Sequence, residues 1–412
     1  MQSASILHGT YFCHKTILCP IKNKLFACHQ ASIVLFPFTY GLYRVITIND
    51  IKDATHLYGF KGKMTVLTSL SMLAVALYLL ALITNSFFVE CLDTFSNKLK
   101  LSPSVAGATL MAAGSSMPEL AIAMAALFTH GGRHSDVGIG TIVGSAVFNI
   151  LVITGACAVI KTAYITLAAI VRDILFYLVS IGIMFYTFID GRVELAESAA
   201  LLAAYIVYIF VLRAFPGDKP KLQVKADPPD EKQGTLFVPA RLNRIMTHII
   251  APIMGDTRKN YIRVFLISIA AIMFIGKILV DNAVILANAI GIPPVIIGLT
   301  ILAASTSAPD LFSSMAAVKR GQGDMAVANA VGSNIFDILV GLGLPWLISL
   351  LVTKKTAITV KSESLIESVL ILVGTVVLLF IFLAKNRKLG RKAGIFLLLI
   401  YAGYIAWIIA TR

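Results

Sequence analysis

Two carboxylates, Glu119 and Asp310, stand inside long apolar runs, and each directly follows a proline, Pro118 or Pro309. A carboxylate at the centre of a membrane-buried helix costs on the order of 2.5–3.5 kcal/mol, so one retained there is functional by default. Proline interrupts the i to i−4 hydrogen-bond ladder, and a helix broken inside a membrane frees main-chain carbonyls that can face a cation. Hydroxyls stand one turn earlier: Ser115 and Ser116 before Glu119, Thr306 and Ser307 before Asp310. The i, i+4 spacing puts Ser115 with Glu119, and Thr306 with Asp310, on a common helix face. The same spacing later pairs Ser145 with Asn149 and Ser333 with Asp337, and Gly144 and Gly332 just before them allow close helix approach. Lys277 is the obvious base within an apolar run, but Asp281, one turn beyond it, is its easier partner.

These segments supply only oxygen: three carboxylates, an amide, several hydroxyls and freed carbonyls, with no His or Cys among them. An all-oxygen, flexible shell selects hard cations. Six to eight ligands at about 2.3–2.6 Å suit calcium, and zinc or copper is disfavoured. Three ionised carboxylates are neutralised by one divalent and one monovalent cation together, whereas two would be neutral with calcium alone.

Elements that hold such groups must lie in a membrane. Of the 412 residues, 58% are hydrophobic and 14% charged, against about 25% charged in a soluble domain. The chain is therefore an all-α integral membrane protein. Its net charge of +14 fits basic loops facing anionic lipid better than nucleic-acid binding. A spanning helix needs about 20 mostly apolar residues. Ten such runs occur, at Met64–Val89, Pro103–Phe128, Val137–Ile160, Ile174–Ile189, Leu195–Leu212, Tyr261–Asn288, Ile292–Val318, Met325–Val352, Leu365–Ala384 and Ala393–Ala410. The polar stretch Pro216 to Asn260 divides them five and five and reads as a linker or small regulatory loop. Lys98, Lys100, Lys161, the Lys and Arg of that stretch, Lys319, Arg320 and the group from Lys385 to Arg391 fall on one face, which the positive-inside rule makes cytoplasmic. Residues 1–60 have no acid before Asp50 and read as an N-terminal extension, a targeting segment or an additional membrane-embedded segment. The five cysteines show no CxxC pair and read as free thiols, a local disulfide among the three in the first 30 residues being the alternative. With no GxSxG, no P-loop and no His/Cys cluster, no enzyme signature is present.

Self-comparison ties the chemistry to the elements. GATLMAAGSSMPEL at 107–120 is answered by GLTILAASTSAPDL at 298–311, and GSAVFNIL at 144–151 by GSNIFDIL at 332–339. The first pair is offset by 191 and the second by 188, which places a longer turn in the first copy around His130 to Ser135. Five helices separate the copies. An odd separation makes corresponding helices cross the bilayer in opposite directions, the inverted-repeat plan of secondary transporters.

The segment FFVECLDTFSNKLKLSPSVAGATLMAAGSSMPEL (87–120), with GTIVGSAVFNIL (140–151), closely resembles the first signature repeat of potassium-dependent sodium/calcium exchangers. GLTILAASTSAPDL, with GQGDMAVANAVGSNIFDILVGLGLPW (321–346), resembles the second. The resemblance implies two five-helix inverted repeats, at 61–215 and 261–412, joined by a cytoplasmic loop at 216–260 and preceded by the 1–60 extension. It implies that Glu119 and Asp310 are acidic ligands shared by calcium and sodium. Ser115, Ser116, Thr306 and Ser307 would complete the site with carbonyls near Ala112 and Ala303. Ser145, Asn149, Ser333 and Asp337 would line flanking ion positions, and an Asp at 337 would mark the potassium-dependent branch, where other branches commonly carry Asn. The expected partners are calcium, sodium and potassium ions and membrane lipid, with no cofactor and no nucleic acid, in the plasma membrane or an organelle membrane.

Three departures from the family pattern stand out: Ala303-Ala304-Ser305 where AAG is usual, Thr84-Asn85-Ser86 where acids are frequent, and a short central loop. A calcium/proton antiporter or a potassium-independent exchanger on the same scaffold is the alternative, and a cation channel a more distant one.

Overall fold

The computed structural model describes residues 11–13, 19–21, 24–26, 33–37, 43–46, 48–100, 110, 112–129, 132, 134–164, 167–214, 240–319, 323–360, 363–386 and 388–411. Chain contacts divide it into two units, Met1–Thr68 and Ser69–Arg412. The first holds an antiparallel sheet of Tyr11–Cys13, Ile33–Pro37 and Tyr43–Ile46, a two-stranded pair of Cys19–Ile21 with Lys24–Phe26, and the start of helix α1.

The second unit is helical because apolar segments in lipid must satisfy every main-chain group internally. Helix α1 (Ile48–Ile83) continues through a π turn at Thr84–Phe88 into α2 (Val89–Lys98). The first repeat goes on with α3 (Ala112–Ser115), α4 (Met117–Phe128), α5 (Ser135–Phe148), a π turn at Asn149–Ile153, α6 (Thr154–Ile160), α7 (Leu167–Ile189) and α8 (Leu195–Ala214). After α9 (Ala240–Met254), the second repeat runs through α10 (Tyr261–Ile290), α11 (Pro294–Ile297), a π turn at Gly298–Leu302, α12 (Ala303–Thr306) and α13 (Ala308–Lys319). It closes with α14 (Gly323–Phe336), a π turn at Asp337–Leu342, α15 (Gly343–Thr353), α16 (Glu363–Asn386) and α17 (Arg391–Thr411).

Among the described residues, eight helices are long and apolar enough to span, and the bent pair Pro294–Thr306 with Ala308–Lys319 makes a ninth. The remaining expected span, Pro103–Phe128, is represented by α3 and α4; its beginning lies outside the described residues. The first span reaches Lys98 rather than Val89, because buried Cys91 and Leu92 carry the packed face past Glu90. The helix of the fourth span, α7, begins at Leu167 rather than Ile174. Arg172 Nε and Asp173 Oδ1 pair at 2.8 Å, which lets both charges enter the helix. Composition pointed to a linker over 216–260; its latter part is helix α9, whose Asn243 Oδ1 accepts from the Tyr78 hydroxyl at 3.2 Å. Cys91 and Cys157 are free thiols, as expected.

The inversion is visible in the loops. Ala163–Tyr164, between the third and fourth spans, pairs antiparallel with Lys388–Leu389, between the ninth and tenth. Arg192–Glu194, between the fourth and fifth, pairs antiparallel with Ala357–Thr359, between the eighth and ninth. A half-turn that exchanges the repeats exchanges these two ribbons. The longer first-copy turn is also present: α4 ends at Phe128 and α5 starts at Ser135, whereas α13 ends at Lys319 and α14 starts at Gly323.

At the centre lie the third and eighth spans, 83% and 67% buried. The close approach of the third span to the seventh depends on glycine. A Cβ on Gly144 would lie 2.4 Å from the Leu299 carbonyl oxygen and 2.8 Å from Ala303 Cβ. A Cβ on Gly298 would lie 2.5 Å from the Val137 carbonyl oxygen. Backbone cannot yield there cheaply, and overpacking costs about 1–3 kcal/mol. Gly144→Ala is therefore expected to lower the apparent melting temperature of the detergent-purified protein by several degrees in heat-step size-exclusion chromatography. Gly374→Ala, at a position with no atom within 4 Å of the added carbon, is expected to leave it unchanged.

Candidate ion-binding site

Pro118 and Pro309 lack an N–H, so the helical ladder cannot run through them. Each instead occupies the first turn of a restarted helix, where that N–H is not needed. The break falls on equivalent serines, Ser116 (φ −92°, ψ 6°) and Ser307 (φ −83°, ψ −2°). Both make the same main-chain bonds. The Ser116 N–H donates to Ala112 O at 3.0 Å and the Ser307 N–H to Ala303 O at 3.2 Å; Leu120 and Leu311 donate back to the two serine carbonyls at 3.1 Å. The seventh span bends by 41° at its break. Glu119 and Asp310 sit in the first turns of α4 and α13, where a helix N-terminus favours negative charge. Asn149 and Asp337 each open a π turn, a device that re-aims side chains at functional sites.

Side chains from the two repeats meet across the pseudo-twofold. The Ser116 and Ser333 hydroxyl oxygens are 3.0 Å apart, and their counterparts Ser307 and Ser145 are 2.8 Å apart. Ser307 donates to Glu119 Oε1 and Ser333 to Asp310 Oδ2, both at 3.4 Å. Thr306 lies against Glu119 of the other repeat. Glu119, Asp310 and Asp337 are 2%, 8% and 1% exposed, and Asp337 is near enough to the other two for mutual repulsion. Among the described residues, neither Asp337 oxygen, Glu119 Oε2 nor Asn149 Oδ1 has a hydrogen-bond partner. The Ser116 hydroxyl stands beside Asp337 but is engaged with Ser333. Burying unpartnered carboxylate oxygens is unfavourable by several kcal/mol each unless a cation offsets it.

Of the residues singled out in the sequence, Ser116, Glu119, Ser145, Thr306, Ser307, Asp310, Ser333 and Asp337 therefore come together, though not through the neighbours that helix spacing proposed. Ser115 donates to its own Ala112 carbonyl at 3.3 Å, and Thr306 donates to Leu302 O at 3.0 Å and Ala303 O at 3.3 Å. The carbonyls of Ala112 and Ala303 thus each accept a main-chain N–H and a hydroxyl. Among the described residues no group of three or more His, Cys, Asp or Glu side chains could hold a metal by itself. The other oxygen atoms beside the carboxylates are the hydroxyls of Ser116, Ser145, Thr306, Ser307 and Ser333. Asn334, Tyr177 and Asn329 escaped sequence reasoning. Asn334 donates to Tyr177 Oη at 2.9 Å and accepts from Asn149 at 2.8 Å, and Asn329 reaches Ser314 at 3.5 Å. The signal for Asn334 was its place in GSNIFD, opposite Ala146 in GSAVFN.

A family model described as sodium/calcium exchanger protein matches residues 32–213 and 260–410. Human sodium/potassium/calcium exchanger 5 is 30% identical over 403 residues, covering 79% of each chain. Among solved structures, the sodium-calcium exchanger NCX_Mj superposes with a TM-score of 0.50 at 25% identity, covering 83% of this chain and 99% of its own. The H+/Ca2+ exchanger CAX shares the fold with a TM-score of 0.62 at 16% identity, covering 84% of both.

An all-oxygen donor set predicts selective binding of a large hard cation. Calcium at about a hundred times its dissociation constant should stabilise the purified protein by about 2.7 kcal/mol, read as a rise in melting temperature. Magnesium, which demands octahedral geometry at about 2.0–2.1 Å, should raise it less, and Glu119→Gln should remove the calcium effect.

Proposed function

Because the chain belongs to the sodium/calcium exchanger protein family, we propose that it is a potassium-dependent sodium/calcium antiporter that moves calcium against an inward sodium gradient by alternating access. The observation that carries this is the meeting of both broken helices at one buried, all-oxygen centre, Ser116 with Ser333 and Ser307 with Ser145 beside Glu119 and Asp310. Glu119 and Asp310 are the ligands for which calcium and sodium compete. Ser115, Ser116, Thr306 and Ser307, with the carbonyls of Ala112 and Ala303, complete the shell. Ser145, Asn149, Ser333 and Asp337 line the flanking positions.

Coupling follows from that competition, because a carboxylate occupied by one ion is lost to the other. Movement of peripheral helices against the buried core presents the site to each side in turn. Without cations, three carboxylates in a dry interior repel one another and lack solvent, so the unloaded site crosses reluctantly and leak is suppressed. Asp337 adds the third charge, which calcium alone leaves unbalanced and potassium neutralises. Human exchanger 5, whose name includes potassium, supports this assignment.

Sealed vesicles containing the purified chain test it. Replacing the driving sodium by an impermeant cation at fixed pH should stop calcium uptake; uptake that persists and follows a pH gradient would indicate the proton-coupled alternative. Glu119→Gln should reduce sodium-driven calcium flux by about a hundredfold or more, as expected for removing one charged ligand worth about 3 kcal/mol. Asp337→Asn should keep calcium exchange but abolish its need for potassium. Undiminished potassium dependence in that variant would overturn the role given to Asp337.

A further inference from the structure

Asn149 supplies an amide where its counterpart in the second repeat, Asp337, supplies a carboxylate. A carboxylate offers oxygen whichever way round it lies. An amide offers oxygen from one end and an N–H, which repels a cation, from the other. A ligand role for Asn149 therefore requires something that fixes it one way round.

The structure contains such a device. Asn149 Nδ2 donates to Asn334 Oδ1 at 2.8 Å. Asn334 has only one orientation available, because its Nδ2 donates to the Ala146 main-chain carbonyl at 3.1 Å, and a carbonyl can only accept. The second Nδ2 hydrogen goes to the Tyr177 hydroxyl at 2.9 Å. With both amide hydrogens engaged, Asn334 must present its oxygen to Asn149, and Asn149 must answer with its nitrogen. The Asn149 oxygen is then left buried with no hydrogen-bond partner among the described residues. Asn149 stands one turn beyond Ser145, whose hydroxyl meets Ser307 beside Glu119.

The repeats use this device asymmetrically. The first-repeat counterpart of Asn334 is Ala146. An orienting amide is present opposite Asn149, which needs one, and missing opposite Asp337, which does not. Tyr177 belongs to the fourth span, which contributes no expected ligand, and it is fully buried; a buried tyrosine hydroxyl is favourable only when partnered.

We infer that Asn334 and Tyr177 are positioning residues that hold the Asn149 side-chain oxygen toward the transported cation, an inference that rests on the exchanger function proposed above. The test is calcium binding to the purified full-length protein by isothermal titration, which reads affinity whatever ion drives transport. Tyr177→Phe keeps the ring in the core and removes one acceptor. It should raise the calcium dissociation constant about fivefold, the effect of one buried hydrogen bond, and Asn334→Ala should raise it more. In an Asn149→Ala background the oxygen to be aimed is gone, so neither substitution should weaken binding further. A general loosening of the core would instead weaken binding equally in both backgrounds. That result, or unchanged affinity in both single variants, would overturn the inference. Sodium-driven uptake is measured separately. If the unsubstituted protein binds calcium but sodium drives no uptake, the exchanger function fails while the binding result still decides the role of Tyr177 and Asn334; if it binds no calcium, both fail.

Discussion

Negative charge held away from water is the constraint on which the rest of this molecule depends. Glu119, Asp310 and Asp337 come from three different helices and are almost completely buried. Their mutual repulsion and lost hydration favour any arrangement that scatters them into solvent. The fold prevents that by tying each to a main-chain irregularity: two restarted helices whose first turns tolerate an acid, and a π turn that opens on the third. Serine pairs between the repeats then fill the space beside the acids with oxygen rather than hydrocarbon. A cation is the natural complement of such a centre, and its identity is set by the hardness of oxygen donors.

Much of this was legible in the residues. Repeated Gly, Ser, Pro and acidic positions at a fixed offset announced two copies, and their separation by five spans announced the inversion that the loop ribbons now display. Boundaries were less legible, for identifiable reasons. Hydropathy stops the first span at Glu90, although packing continues beyond it, and it postpones the fourth because Arg172 and Asp173 look too polar until their pairing is seen. Helix α9 alternates basic and apolar residues in a stretch whose first half is polar, and composition averaged over the whole stretch conceals it.

The partners within the site were hidden more deeply. Spacing along a helix reports only neighbours on that helix, and it matched Ser115 with Glu119 and Thr306 with Asp310. The structure turns those hydroxyls toward their own carbonyls and brings Ser307 to Glu119 from the opposite repeat. Contacts that cross a symmetry axis have no signature in local spacing. They can be reached only by superposing the copies and asking where they differ, and that comparison singles out Asn149 against Asp337 and Ala146 against Asn334.

The two ribbons carry a consequence for how the halves are joined. One joins Ala163–Tyr164 to Lys388–Leu389 and the other joins Arg192–Glu194 to Ala357–Thr359, so each is stitched from both halves. The halves are thereby kept in register by backbone pairing as well as by the interlocked interior. The chain segment between α8 and α10 is therefore not the sole tie between the halves.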